Sequence, residues 1–251
     1  YNSSRSCTKT KHTKRKEKTN MEKFIFGTRS DVPANTRLTN GYTLFDWAVR
    51  QHGVPAFWAR NISGENALSK EEIDFLAERK CKLLLLFNDL TELEVSGSDG
   101  RPAANRAIKA LREINIPDNS DIAILADIKD DWTVNRNWMY SFAKEVKKNG
   151  YDYGFIGNTD SSDNFSFDKE FSHEGIIGIT PVLYATKPET EEDIYQWAPY
   201  APSALIPEDV HFWQNKTIDM NGVIYKTVYA REENMANCMY EPKEEVVENE
   251  Y

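Results

Sequence analysis

The chain has 251 residues, 40% hydrophobic and 28% charged, with a formal net charge of −9. That length buries the core of one barrel-sized domain or two small ones. The acidic balance argues against a general nucleic-acid binder, which needs a cationic face for phosphates. No apolar run approaches the roughly eighteen residues that span a bilayer, and "LLLLF" (Leu83 to Phe87) suits a buried strand instead.

The charge is uneven. "RSCTKTKHTKRKEKTN" is basic and "EPKEEVVENEY" acidic, and neither has apolar periodicity. We expect a disordered basic arm over 1–22, a barrel domain over 23–230 and an acidic tail over 231–251. The arm lacks the apolar segment of a signal peptide. Met21 opens "MEKFIFG", so residues 1 to 20 read as a processed leader or an expression remnant. Compartment stays open, although a glycan target would be extracellular or in the cell envelope. Cys7, Cys81 and Cys238 have neither metal spacing nor a disulfide framework.

From Gly41 onward, short apolar runs alternate with helical patterns. "YTLFD" (Tyr42 to Asp46) is expected as strand one and "PAFWARNI" (Pro55 to Ile62) as strand two. Ser69 and Glu72 then form a capping box for a helix with Ile73, Leu76 and Ala77 on one face. "CKLLLLFN" is strand three, an amphipathic helix runs from Ala103 to Ile114, and "DIAILAD" is strand four. A helix follows with Trp138, Phe142 and Val146 on one face and Gly150 at its end. "YGFIGN", "PVLYAT", "VHFWQ" and "TIDMN" are strands five to eight, with weak or missing helices after five to seven. Nearly all-apolar strands alternating with helices predict an α/β fold, a single compact (β/α)8 TIM barrel.

In such a barrel the strand carboxyl ends share one face, where active sites lie. Asp46, Asp127 and Asp219 are then expected to converge there, with Asp130 close behind Asp127. Trp47, Trp58, Trp132 and Trp213 are stacking candidates for sugar faces, and Arg60, Gln214 and Asn221 are hydroxyl binders. Paired carboxylates suit glycoside hydrolysis, one as acid and one as nucleophile or base. Singly, each Asp also serves as a turn or cap residue, each Trp as core and Arg60 as an ion-pair partner. His211 is expected near the mouth on strand seven, and "SSDNFSFDKEF" (Ser161 to Phe171) as a loop or insertion bordering it. There is no phosphate loop, GxSxG elbow or HExxH motif. No metal and no cofactor is called for.

The ordered series "LFD", "FWAR", "ILADIK", "YGFIGN", "VLYAT", "FWQ" and "IDMN" resembles the glycoside-hydrolase-like domain family, which is similar to the family 25 lysozymes (muramidases). The similarity runs from about Gly41 to Tyr229. The resemblance implies a barrel acting on a polysaccharide or peptidoglycan-like glycan, with Asp127 as central carboxylate and Asp46 and Asp219 positioning substrate or water. In those lysozymes strand four ends Asp-x-Glu with the Glu as proton donor, whereas here that position is Lys129. An ammonium beside carboxylates stays charged and is a poor acid near neutrality. Hydrolysis, with Asp130 or Asp131 as donor, is the leading expectation; a catalytically inactive glycan-binding protein or a scaffold on the same barrel is the alternative. The expected partner is a glycan or cell-wall polysaccharide, with neither nucleic acid nor membrane insertion; protein partners are unspecified.

Overall fold

The computed structural model describes residues 24–163, 166–187, 194–232 and 238–243. The expected basic arm lies outside the described residues, as does most of the acidic tail. Eight strands close into a barrel in chain order: β1 (Phe24–Ser30), β2 (Phe57–Asn61), β3 (Lys82–Phe87), β4 (Ala123–Asp127), β5 (Asp152–Gly157), β6 (Val182–Ala185), β7 (Phe212–Met220) and β8 (Val223–Arg231). β1 to β7 run parallel, and β8 is antiparallel to both β7 and β1, closing the ring. Around it lie α1 (Leu44–His52), α2 (Lys70–Ala77), α3 (Glu92–Val95), α4 (Arg101–Glu113), α5 (Arg136–Lys148), α6 (Ser166–Phe171) and α7 (Glu174–Ile177). The fold is the predicted TIM-type barrel with some helices short or missing. No helix among the described residues is long and apolar enough to cross a membrane.

Two expected strands are corrected. Tyr42–Asp46 is the start of α1: Thr43 is its N-cap, and the Thr43 hydroxyl accepts from the Asp46 backbone N–H at 3.0 Å. The true first strand is "FIFGTRS", upstream of the first expected element. Of "TIDMN", Thr217 to Met220 are the outer half of β7, which turns back through Asn221 (φ +53°) and Gly222 (φ +89°) into β8. Asn-Gly with both φ angles positive is the favoured two-residue hairpin turn. The segment expected as a loop or insertion, 161–171, contains α6, whose Phe167 and Phe171 are buried and stacked.

Strand alternation separates two cores. Phe57, Ala59, Leu84, Leu86, Leu125, Ile156, Tyr184, Phe212 and Val228 fill the lumen. Their sequence neighbours, including Trp58, Leu83, Leu85, Ile124 and Phe155, face the helices. Gly27 is required by this packing, since a Cβ there would lie 2.3 Å from the Phe57 ring. The described part of the tail, 238–243, is not loose: Cys238 and Met239 are buried with the lumen residues, and Tyr240 bridges Leu83. They close the floor at the amino-terminal ends of β3 and β4.

Candidate active site at the barrel mouth

The inward-facing residues at the carboxyl ends of the parallel strands form the mouth. Asp127, the last residue of β4, is only 3% exposed. Its Oδ2 accepts from Arg29 Nη2 at 2.8 Å and from Lys129 Nζ at 2.8 Å. Arg29 comes from β1 and is buried, and its guanidinium carbon lies 5.7 Å from the centre of the Tyr184 ring on β6. The Tyr184 hydroxyl faces Gln214 Oε1 of β7 at 3.4 Å. At the end of β2, Asn61 donates Nδ2 to Asp31 Oδ1 at 3.1 Å. Thr186, just past β6, donates its hydroxyl to Asp130 Oδ1 at 2.7 Å.

Charge decides the protonation of Asp127. Burial alone would push its carboxyl up, but Arg29, then Lys129 with its hydrogen bond, and Lys226 together hold it below its ordinary value. Burial works against the Arg29 guanidinium too, yet Asp127, with Tyr184 and Asp31, raises it above its usual range. The pair is therefore locked in its ionised form near neutral pH. An acid that must carry a proton onto a leaving oxygen needs the opposite environment.

Asn61 is only 6% exposed, and its Oδ1 has no hydrogen-bond partner among the described residues. Such an acceptor costs on the order of 1–3 kcal/mol until a donor meets it.

Of the residues expected from sequence, Asp127, Asp130 and Gln214 come together at the mouth, and Trp132 follows them on the β4–α5 loop. The others do not converge. Asp46 is exposed in the first turn of α1 and takes the Thr43 hydroxyl at 2.7 Å. Asp219 is exposed beside the β7–β8 turn and accepts from Gly222 N–H at 2.7 Å. Asn221 occupies that turn. Trp58 points away from the lumen, stacked on Phe45 at 5.4 Å with Nε1 donating to Ser30 Oγ. Arg60 is fully buried on the same outer face: Nε donates to Glu72 Oε1 at 2.8 Å, and Nη1 and Nη2 donate to the carbonyls of Ser30 and Asn66. Trp213 also faces outward, edge-on to Trp197 at 5.8 Å. Trp47 is partly buried on α1, tilted against Tyr42.

His211 precedes β7 at the opposite end of the barrel. Its Nδ1 accepts from Leu183 N–H at 3.2 Å, and burial lowers its pKa. It lines a cleft of about 340 Å³ with Phe171, Leu183 and Leu205, well away from the mouth. Sequence reasoning missed Arg29, Asp31, Asn61, Tyr184, Thr186 and Lys226. Period-two alternation in "FWARN" pairs Phe57, Ala59 and Asn61 on one face, and this was the available signal for Asn61.

The chain matches no protein-family model and no curated protein. Among solved structures it is similar to an uncharacterized B. stearothermophilus protein, with TM-score 0.70 and 22% identity over 86% of this chain and 100% of that one. A Tat-secreted protein of Mycobacterium tuberculosis aligns with TM-score 0.58 and 12% identity, over 85% of this chain and 98% of that one. The bacterial lysozyme of Streptomyces coelicolor aligns with TM-score 0.51 and 11% identity, over 81% and 90%. At these identities the likeness is one of fold: the chain carries the same kind of barrel as these structures.

Proposed function

We propose that the barrel holds a polysaccharide or peptidoglycan-like glycan at its mouth without cutting it. The observation that carries this reading is the double pairing of Asp127 Oδ2 with Arg29 and Lys129. A carboxylate neutralised by two cations neither keeps a proton for a leaving group nor stands free as a nucleophile. The lysozyme-like fold supports a glycan as the ligand class, and fold alone does not carry the chemistry over.

Hydrolysis is the second reading, and one observation favours it. Asp130 lies close behind Asp127, is partly exposed and is oriented by Thr186. In that reading Asp130 is the shifted proton donor and Asp127 the central carboxylate.

The test incubates the purified protein with peptidoglycan and a polysaccharide panel, with products read by mass spectrometry and binding by calorimetry. Saturable binding without products is expected. Products that disappear in Asp130→Asn would replace the binding reading with the hydrolase. A folded protein that neither binds nor cuts any glycan would leave the barrel as a scaffold.

A further inference from the structure

We propose that the mouth selects an acidic sugar of the uronic-acid type, its carboxylate meeting Lys129 while a neighbouring hydroxyl donates to Asn61. The inference rests on the glycan-binding reading above and names the ligand class for the same site. Three cations, Arg29, Lys129 and Lys226, bear on the one buried carboxylate of Asp127. Acids lie at this end too: Asp31, which bears on Arg29 and takes the Asn61 amide, Asp130, which takes the Thr186 hydroxyl, and Asp163, which takes the Asn158 amide just past β5.

The three cations are not equally available. Arg29 is buried between Asp127 and the Tyr184 ring. Lys129 has a side chain 47% exposed, and Asp127 is backed against it at 2.8 Å. An ammonium has three donors, so Lys129 is held in place by one and presents others outward. A neutral sugar offers it hydroxyl oxygens only. A carboxylate offers a charge-assisted bond, roughly twice as strong as a neutral one.

Asn61 narrows the class further. Its buried Oδ1 lacks a donor among the described residues, and a bare inorganic or carboxylic anion has none to give. Asn61 connects to the cations through Asp31, which touches Asn61 and acts on Arg29. A ligand that serves both ends must carry an anion and a hydrogen-bond donor on one rigid frame. A uronic-acid ring does so, with its carboxylate beside a ring hydroxyl.

The experiment titrates the full chain with trigalacturonate, galactotriose and acetate by calorimetry at low salt. Trigalacturonate is expected to bind at least about tenfold tighter than galactotriose, and the gap should shrink as salt screens the charge. Lys129→Gln should abolish the preference. Equal binding of the two sugars, or a preference that survives Lys129→Gln, would overturn the inference. Acetate binding as tightly as trigalacturonate would overturn the sugar and leave an anion site. A neutral glycan that binds where trigalacturonate fails would sink the acidic preference alone, whereas failure of every glycan would remove the binding reading and this inference with it.

Discussion

Arg29 and Asp127 meet at 2.8 Å inside the barrel although 98 residues separate them in the chain. The contact ties the first strand to the fourth and fixes the electrostatics of the mouth. Removing either partner leaves the other charge buried, a loss typically of about 3–5 kcal/mol. Arg29→Met should therefore lower the unfolding free energy by about 3 kcal/mol, measured by urea denaturation. A change under about 0.5 kcal/mol would mean that water replaces the guanidinium at no cost.

The same pair sets an acid limit. The folded-state pKa of Asp127 lies below its unfolded value of about 3.9. Its stabilising contribution is thus fully present above that unfolded value and is lost as pH falls through the folded one. Asp127→Asn should be less stable than wild type at pH 7, and the two should converge as pH drops below about 4. Parallel stability–pH curves for the two proteins would remove Asp127 from the acid transition.

Trp58 and Arg60 act on the fold from the outer face of β2. Trp58→Ala should cost about 3–5 kcal/mol by opening a cavity against Phe45. Glycan affinity per folded molecule should stay within about twofold, a bound set by its orientation away from the lumen. Weakened binding with intact stability would return Trp58 to the role of sugar platform.

Asp46 and Asp219 are expected to be local structural residues. Thr43→Ala, which removes the cap of α1, should cost about 1 kcal/mol. Asp46→Asn and Asp219→Asn should leave ligand binding or turnover at the mouth unchanged in the assays above. A loss of turnover in either would bring these acids back to the chemistry.

Strands buried on both faces were the most legible part of the sequence. β2 to β6 read as nearly continuous apolar runs because lumen and helix layer both demand them. β1 was not legible: only Phe24, Ile25 and Phe26 are large and apolar, while its carboxyl half supplies Gly27 to the Phe57 ring and Arg29 to the mouth. The β7–β8 ribbon was misread because its outer half is partly solvated, so Ile218 and Ile224 do not form an apolar run. Its Asn221-Gly222 turn was nevertheless a readable signal. At the site, Asp127 stood out at the end of an apolar run. Arg29 did not, because an inward arginine makes sense only with a partner 98 residues away. Trp58 and Arg60 failed for a different reason: alternation sorts a strand into two faces without saying which one is the lumen.

The seam of the barrel joins its first strand to its last, with seven residue pairs from Phe24↔Arg231 to Ser30↔Tyr225. A chain emerging from a ribosome can form the successive parallel pairs as it goes, yet the ring stays open until β8 is out. Until then β1 presents an unpaired edge, and the Cys238–Met239 floor is missing beneath the lumen. Folding of this barrel is accordingly expected to be completed only once β8 and the residues after it have emerged, with the slow rate that such distant pairing imposes.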